Sequence, residues 1–442
     1  MARGWGFSIV GLLISAAMVA CTSPPSPPSA EIIFIEGVHA LGLSHNGEWV
    51  VGVHRAESGR LEPFRWSAET GVLDLGTIEP NEADPYEDPM FSSSRAVAVS
   101  DDGKVVVGYL ETRRMREVEF DPTSGWIRES QYVSEGFVWY EGSGIWPIFN
   151  PEGYAGNFCH PDIRPYDVTP DGFYIVGRST TCVLYSYDRY VTIDNETFLR
   201  FRNPSDPVPE SGPTFGVYST ANSSGEFDGI ASGGRAILRN PITIVGWVTP
   251  KFDEFVREPF RQVDNSDPGS DMAFGPREPL GSLPGDVRYS TANDISIDRS
   301  TIVGWSSLST DNLNLGPSVP FKWTSDRGLE ALDVPCEGPD YRRGKAYSVS
   351  ADGKVIVGEA LNTPCNRTTA VVWTPLFGVE ALADMLHDRF NNYGRWTFDT
   401  AVGVSDDGRV IVAYGENNDK QSGTFVIRLS RPANHGYRPQ NQ

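Results

Sequence analysis

Apolar and polar residues alternate along most of this chain in runs too short to form helices. Val, Ile, Phe, Trp and Tyr fill stretches of about five residues, and Gly, Pro, Asp or Asn closes each stretch. The alternation predicts strands, and it recurs at a longer period. One copy is Ala40-Leu-Gly-Leu-Ser-His-Asn46-Gly47-Glu-Trp-Val-Val-Gly52, and the next is Ala96-Val-Ala-Val-Ser-Asp-Asp102-Gly103-Lys-Val-Val-Val-Gly108. Further copies centre on Asp171-Gly172, Asp352-Gly353 and Asp407-Gly408; Asp298-Arg299 replaces the turn glycine, and Asn240-Pro241 marks a degenerate copy. Each reads as strand, tight turn, strand. An Asp-Gly pair between alternating apolar runs favours a hairpin because glycine accepts the positive φ the turn requires.

A second element follows in most copies. Pro63-Phe64-Arg65-Trp66, Gly136-Phe137-Val138-Trp139, Pro259-Phe260-Arg261-Gln262, Pro320-Phe321-Lys322-Trp323 and Ala370-Val371-Val372-Trp373 each read as a third strand. A glycine turn and a fourth apolar stretch come next, as in Gly71–Leu75, Gly144–Ile148, Gly328–Leu332 and Gly378–Leu382. The unit is therefore a meander of strands A to D. Seven copies predict an all-β fold: one propeller of seven four-stranded blades, or six or eight blades if the fourth copy is not what it resembles. The last copy has no fourth strand of its own, while Ile32-Ile33-Phe34-Ile35 stands unpaired before the first copy. Residues 31–36 are thus expected to close the ring against residues 423–429. The one helical candidate is Gly378 to Phe390, and it is short.

The N-terminus changes the picture. Residues 1–20 read as a lipoprotein signal peptide: Arg3, then an uncharged apolar run from Trp5, ending at Met18-Val19-Ala20-Cys21. That ending resembles a bacterial lipobox and marks Cys21 for lipidation. Residues 21–30 form a Pro- and Ser-rich tether, residues 31–430 the propeller, and residues 431–442 a polar tail. The expected location is the bacterial cell envelope, at the outer membrane or cell surface. The lipid anchor is the expected contact with the membrane.

The formal charge of −21 argues against nucleic acid as a partner. Besides Cys21 there are four cysteines. Cys159 and Cys182 flank the third A–B hairpin, and Cys336 and Cys365 flank the sixth. In a meander, the segment before A and the segment after B emerge at the same end, so the expected disulfides are 159–182 and 336–365.

The Ala-x-x-x-Ser-x-Asp-Gly-x-x-x-Val-Gly hairpin coupled to an aromatic strand ending in Trp resembles the unit of HAF-type extracellular repeat proteins. The resemblance covers about residues 31 to 430. It implies an envelope β-propeller and brings no catalytic residue set with it. Pro-Phe or Gly-Phe stands where the eponymous His-Ala-Phe would.

No nucleotide loop, zinc-protease helix or nucleophile elbow is present, so no catalytic residue and no cofactor is assigned. The Ser-x-Asp-Gly residues are expected to be turns, and Trp66, Trp139, Trp323 and Trp373 blade packing. His39 and His54 should lie at one end of the first hairpin and His45 at the other, which excludes a three-histidine metal site. The acidic stretch Glu79 to Asp88 offers oxygen ligands for calcium or is simply a solvated loop, so the metal question stays open. The longest insertions, about 77–94, 109–134, 149–164, 305–318 and 383–399, should project from one face. That face is expected to bind a protein or glycan. The inner strands, rich in Ala, Val, Gly and Ser, favour a non-catalytic binding or scaffold module. The alternative is a propeller enzyme, a hydrolase or lyase on an extracellular polysaccharide or similar substrate, and carboxylates, His or Arg converging at the channel mouth would revive it.

Overall fold

A computed structural model describes residues 27–77, 87–121, 125–148, 163–186, 189–201, 216–219, 229–238, 241–250, 257–265, 274–284, 289–307, 318–335, 343–362, 367–392 and 394–435. Cys21, Cys159, Cys336, Cys365, the Cys182 side chain and the acidic stretch 79–86 lie outside this description.

Among the described residues the strands form seven four-stranded antiparallel sheets, each a meander in chain order except the last. The fold is an all-β propeller. The first sheet is Val38–Leu43, Val50–Arg55, Leu61–Ser67 and Gly71–Asp74, and the second is Glu87–Val99, Val105–Asp121, Gly125–Tyr140 and Gly144–Pro147. The third and fourth begin with Ile163–Val168 and Gly229–Leu238, the fifth and sixth with Tyr289–Ile295 and Gly344–Val349. The last comprises Thr397–Val404, Val410–Glu416, Ser422–Leu429 and, as its outer strand, Ala30–Glu36. The expected closure is present: Ala30 pairs with Leu429 and Glu36 with Gly423, in continuous antiparallel register. Each A strand touches the A strand of the next sheet, and the last touches the first.

The core lies between successive sheets. Val51 of the first sheet packs with Ala96, Val106, Phe137 and Trp139 of the second, and Ile35, Val412 and Val426 of the last pack with Val38, Phe64 and Trp66 of the first. Trp66, Trp139 and Trp373 are buried, and Trp323 is partly buried against the cluster joining the fourth and fifth sheets. The Ser-x-Asp-Gly residues are turns. The Ser100 hydroxyl donates to Asp102 Oδ1 (2.7 Å) and accepts from the Val105 amide, while Asp102 Oδ1 accepts from the Lys104 amide. The same set recurs at Ser350 and Asp352 and at Ser405 and Asp407. Where the glycine is missing, Arg299 itself takes φ 59°. Its guanidinium donates to the Pro241 carbonyl, 3.1 Å away, on the degenerate turn of the preceding sheet.

Two expectations need correction. The segment 109–134 is no loop: Val105–Asp121 and Gly125–Tyr140 pair from end to end, so the insertion is a two-stranded ribbon extending the second blade. The tail from 431 is not simply solvated either. Ala433 is fully buried, donates its amide to the Gly408 carbonyl and accepts from Arg389. Arg389 belongs to helix α1 (Leu382–Phe390), which follows a short strand, Gly378–Ala381, inside the expected helical stretch.

The Gly that ends the repeat has a steric reason. Strand A bulges at an equivalent position in every sheet, between Ala40 and Gly42 or between Ala96 and Ala98 for example. The bulge swings a carbonyl over the facing glycine. A Cβ on Gly108 would lie 2.1 Å from the Arg95 carbonyl oxygen, and one on Gly304 would lie 2.0 Å from that of Thr291. The last sheet has Ala413 there, and a further irregularity between Phe398 and Thr400 displaces its strand A. Gly108→Ala is therefore expected to cost about 2 kcal/mol. An unchanged midpoint in urea would show that the second sheet can shift as the last one does.

Candidate functional site

The A strands place two different sets of side chains at the two ends of the axis. At the A–B turn end, backbone hydrogen bonds link neighbouring turns. The Asp406 amide donates to His45 O (2.8 Å), Ala351 to Asp406 O (3.0 Å) and Asp101 to Pro170 O (2.8 Å). The Asn46 side chain adds a bond to the Asp101 carbonyl (2.8 Å). This brings the His45 imidazole to 3.2 Å from the Asp406 carboxylate. Just inside, the residue after each bulge is Asp167 in the third sheet and Asp294 in the fifth, where other sheets have Gly42, Ala98 or Gly403. Asp167 Oδ2 accepts from the Ile237 amide at 2.9 Å and Asp294 Oδ2 from the Val349 amide at 2.8 Å, so each stitches its blade to the next.

Enclosure shapes these charges. Burial disfavours the His45 imidazolium, but the Asp406 hydrogen bond and the charges of Asp406, Asp167 and Asp294 outweigh it and push the group up to about 9. Burial raises Asp167 to about 7 and Asp294 to about 6, against the opposing pull of His45 and of backbone amides. All three groups bind protons more tightly folded than unfolded. Their stabilisation is complete below the unfolded values and is lost as pH rises through the folded ones. Thermal stability is expected to decline across the span from about pH 4 to 7 for the acids and from about 6.5 to 9 for His45. His45→Gln should flatten the alkaline limb and Asp167→Asn the acid limb, as read by melting curves at fixed ionic strength. Melting temperatures that ran parallel to the parent's across both spans would contradict the assignment.

The opposite end, where A begins and B finishes, has another chemistry. Arg95 Nη2 lies 2.8 Å from Glu111, whose other oxygen is 3.5 Å from Arg164. Both guanidiniums sit 5.4 Å from the ring centre of Tyr109. Arg235 lies over Tyr166 at 4.0 Å, and Arg257 over Trp247 at 4.1 Å. His39 stacks on Tyr414 at 4.0 Å; burial and the Arg95 charge hold its imidazole below the usual value. Further round, Lys345 stands over Trp305, and Glu359 accepts hydrogen bonds from the Tyr347 hydroxyl and the Thr400 hydroxyl, both at 2.9 Å. A chain of net charge −21 thus sets Arg95, Arg164, Arg235 and Arg257 together with aromatic rings at one end of its blades.

The three early histidines are not brought together. Val38 pairs with His54 and His39 with Val53, whereas His45 is in the turn. His54 faces Asp74 at 3.3 Å. Among the described residues no three His, Cys, Asp or Glu side chains converge as metal ligands. Sequence reasoning missed the axial arginines because it weighed the prevailing Ala, Val, Gly and Ser of strand A and not the exceptions among them. The available signal was variation at a fixed place in the repeat. The residue before the alanine is His39, Arg95, Thr291, Lys345 or Thr400, and the residue after Val-Gly is Tyr109, Arg178, Trp247, Trp305 or Glu359.

No family model matches the sequence, and no curated protein matches it either. Solved structures resemble it in fold. The β-propeller domain of the Trilobed protease from Pyrococcus furiosus is 12% identical, with 90% of this chain and 100% of that chain covered and a TM-score of 0.45. A puromycin hydrolase is 14% identical, with 95% and 55% covered and a TM-score of 0.46, so this chain spans about half of it. AofleA from Arthrobotrys oligospora is 10% identical, with 82% and 92% covered and a TM-score of 0.36.

Proposed function

We propose that this protein is a binding module of the bacterial cell envelope, lipid-anchored at Cys21, whose seven sheets are the blades of one closed ring. It takes its ligand at the end of the axis where the A strands begin. The observation that carries this reading is the contrast between a repeat held constant by sterics and the charged and aromatic residues that vary at its two inner positions. Constant positions build the scaffold. Variable positions at fixed geometry are where recognition is placed on a rigid frame. The chain's likeness to HAF-type repeat proteins fits the same reading, and the disulfides 159–182 and 336–365 would brace loops at the same end.

A second reading has one observation in its favour. His45, Asp406, Asp101, Asp167 and Asp294 converge at the other end, and paired acids with a histidine are the equipment of acid–base hydrolysis. One experiment separates the two. Labelled full-length protein is bound to isolated envelopes, and release of soluble fragments is followed. The binding reading expects Arg164→Glu with Arg235→Glu to abolish retention, His45→Gln to leave it intact, and no fragments to appear. Fragment release that His45→Gln or Asp406→Asn stopped would establish the enzyme instead.

A further inference from the structure

Three sheets carry a cation at one place in the third strand, directly after a Pro-Phe pair: Arg65 in the first, Arg261 in the fourth and Lys322 in the fifth. Two of them reach across to the tryptophan of the next sheet. Arg65 lies 4.8 Å from the ring centre of Trp139 and donates to the Gly103 carbonyl. Arg261 lies 5.2 Å from the ring centre of Trp323 while also holding Glu278 of its own sheet at 2.6 Å. Lys322 has a single charged end and cannot serve both sides. Its ammonium turns to Glu330 of its own sheet, 3.8 Å away, where Arg327 also lies at 3.8 Å.

The place that Lys322 leaves is a cleft of about 290 Å³ between the fifth and sixth sheets. Trp373 and Gly353 line it, at the positions in the sixth sheet that Trp139 and Gly103 hold in the second. A second replacement widens the junction. A Cβ on Gly103 would meet the Trp49 ring, and one on Gly353 would meet Thr301. A threonine therefore stands where an indole covers Arg65 at 4.4 Å. The rim is open: Asp333, Lys354 and Pro375 are exposed. Asp333 is drawn beside the indole because its carbonyl accepts from Trp373 Nε1 at 2.5 Å. Lys354 is turned onto Asp352 at 3.0 Å, as Lys322 and Arg327 are onto Glu330. Among the described residues Asp333 is thus the lining carboxylate with no cation at hand.

The ligand follows from what fills the same place elsewhere in the chain. At the first junction a ring face, a turn carbonyl and the Glu141 carboxylate, 3.1 Å away, receive a guanidinium. The junction of the fifth and sixth sheets offers the ring, the Gly353 turn and Asp333 without the arginine. Ligand clefts usually run from about 300 to 1,000 Å³, so this one suits a single side chain rather than a whole cofactor. Next to Pro375 stands Leu376, 70% exposed, an apolar seat for a neighbouring residue. A net charge of −21 favours basic partners. We propose that this cleft docks a partner polypeptide through one arginine side chain, whose guanidinium takes the place beside Trp373 that Arg65 takes beside Trp139. The cleft opens at the A–B turn end, so this site and the binding end proposed above stand or fall separately.

The test is titration calorimetry of the full-length chain with the blocked peptide Gly-Arg-Leu-Gly and with counterparts carrying lysine, citrulline or glutamate in place of arginine. The arginine peptide should bind at least about tenfold more tightly than any counterpart, because only a charged planar fork stacks on a ring while reaching two acceptors. Lys322→Arg is the decisive variant. It supplies from inside the guanidinium that the partner would bring, so it should weaken the peptide about tenfold or more. Its melting temperature should hold or rise, which separates lost binding from damaged folding. Leu376→Ser, at an exposed turn, should weaken the peptide several-fold with the melting temperature unchanged. N-acetylarginine amide, which lacks the neighbouring leucine, should bind several-fold more weakly than the peptide. Four peptides that bound alike, or no binding at all, would overturn the proposal, as would Lys322→Arg that bound like the parent. N-acetylarginine amide equal to the peptide would overturn the polypeptide as the source of the guanidinium.

Discussion

Deleting residues 31–36 is expected to open the ring, lower the melting temperature on the order of 10 °C or more, and convert monomer to aggregate. The strand contributes continuous backbone pairing to Ser422–Leu429. It also contributes side chains on both faces: Ile35 is buried towards the first sheet, and Phe34 meets Phe425 at 4.8 Å between ring centres on the other face. Without it the strand at 422–429 becomes an unpaired apolar edge, and the last blade and the first lose their shared core at once. The fair comparison is truncation after His435, because Ala433 is itself docked. That truncation should leave the melting temperature within about 1 °C. Light scattering and melting curves of the two variants decide it; a monomeric deletion variant with parental stability would end the closure account.

The second large effect is expected at Arg65. Its guanidinium is sandwiched between Trp49 at 4.4 Å and Trp139 at 4.8 Å, donates to the Gly103 carbonyl and lies 3.1 Å from Glu141. One side chain therefore joins the first blade to the turn, the third strand and the C–D turn of the second. Arg65→Ala leaves a cavity between two indoles and a carbonyl without its donor. The expected cost is about 3 kcal/mol. Arg65→Lys should recover only part of it, because an ammonium cannot stack flat between rings while reaching two acceptors. Urea titration followed by tryptophan fluorescence reads both the stability and the environment of the two indoles. Loss of less than about 0.5 kcal/mol would show that the blades hold without this clamp.

The blade unit was legible because a backbone rule wrote it. Asp102-Gly103 needs a positive φ, and the run Val105-Val106-Val107 needs two covered faces, so strand, turn and strand follow from local chemistry. Closure by Ile32 to Ile35 was legible as well, since the last copy lacked a fourth strand and an orphan strand preceded the first. The ribbon at 109–134 reads in the sequence only as an insertion, although Pro, Ser and Gly between two alternating segments are themselves a hairpin signal. The axial chemistry was hidden for a different reason. A bulge shifts the register of strand A by one residue, so a period-two count assigns its inner side chains wrongly beyond the bulge. Asp167 and Asp294 fall immediately after it. Arg164 is also paired with Arg178 across the hairpin of the third sheet, which a linear reading sees only as two separate arginines.

The direction in which the closing strand runs has a mechanical consequence. Ala30–Glu36 is antiparallel to Ser422–Leu429, so it starts at the end of the ring that carries the A–B turns and finishes at the end that carries the arginines. If the chain is held at Cys21, as proposed above, the connection to the anchor departs from the acidic end of the ring. In that proposed arrangement the acidic end would face the bilayer and the arginine end would point outward, where material of the cell's surroundings would meet it. A ligand pulled from outside would load the closing strand along its length. Force in that direction shears all its hydrogen bonds together instead of peeling them one at a time, so the latch of the ring resists hardest along the line in which an anchored receptor is pulled.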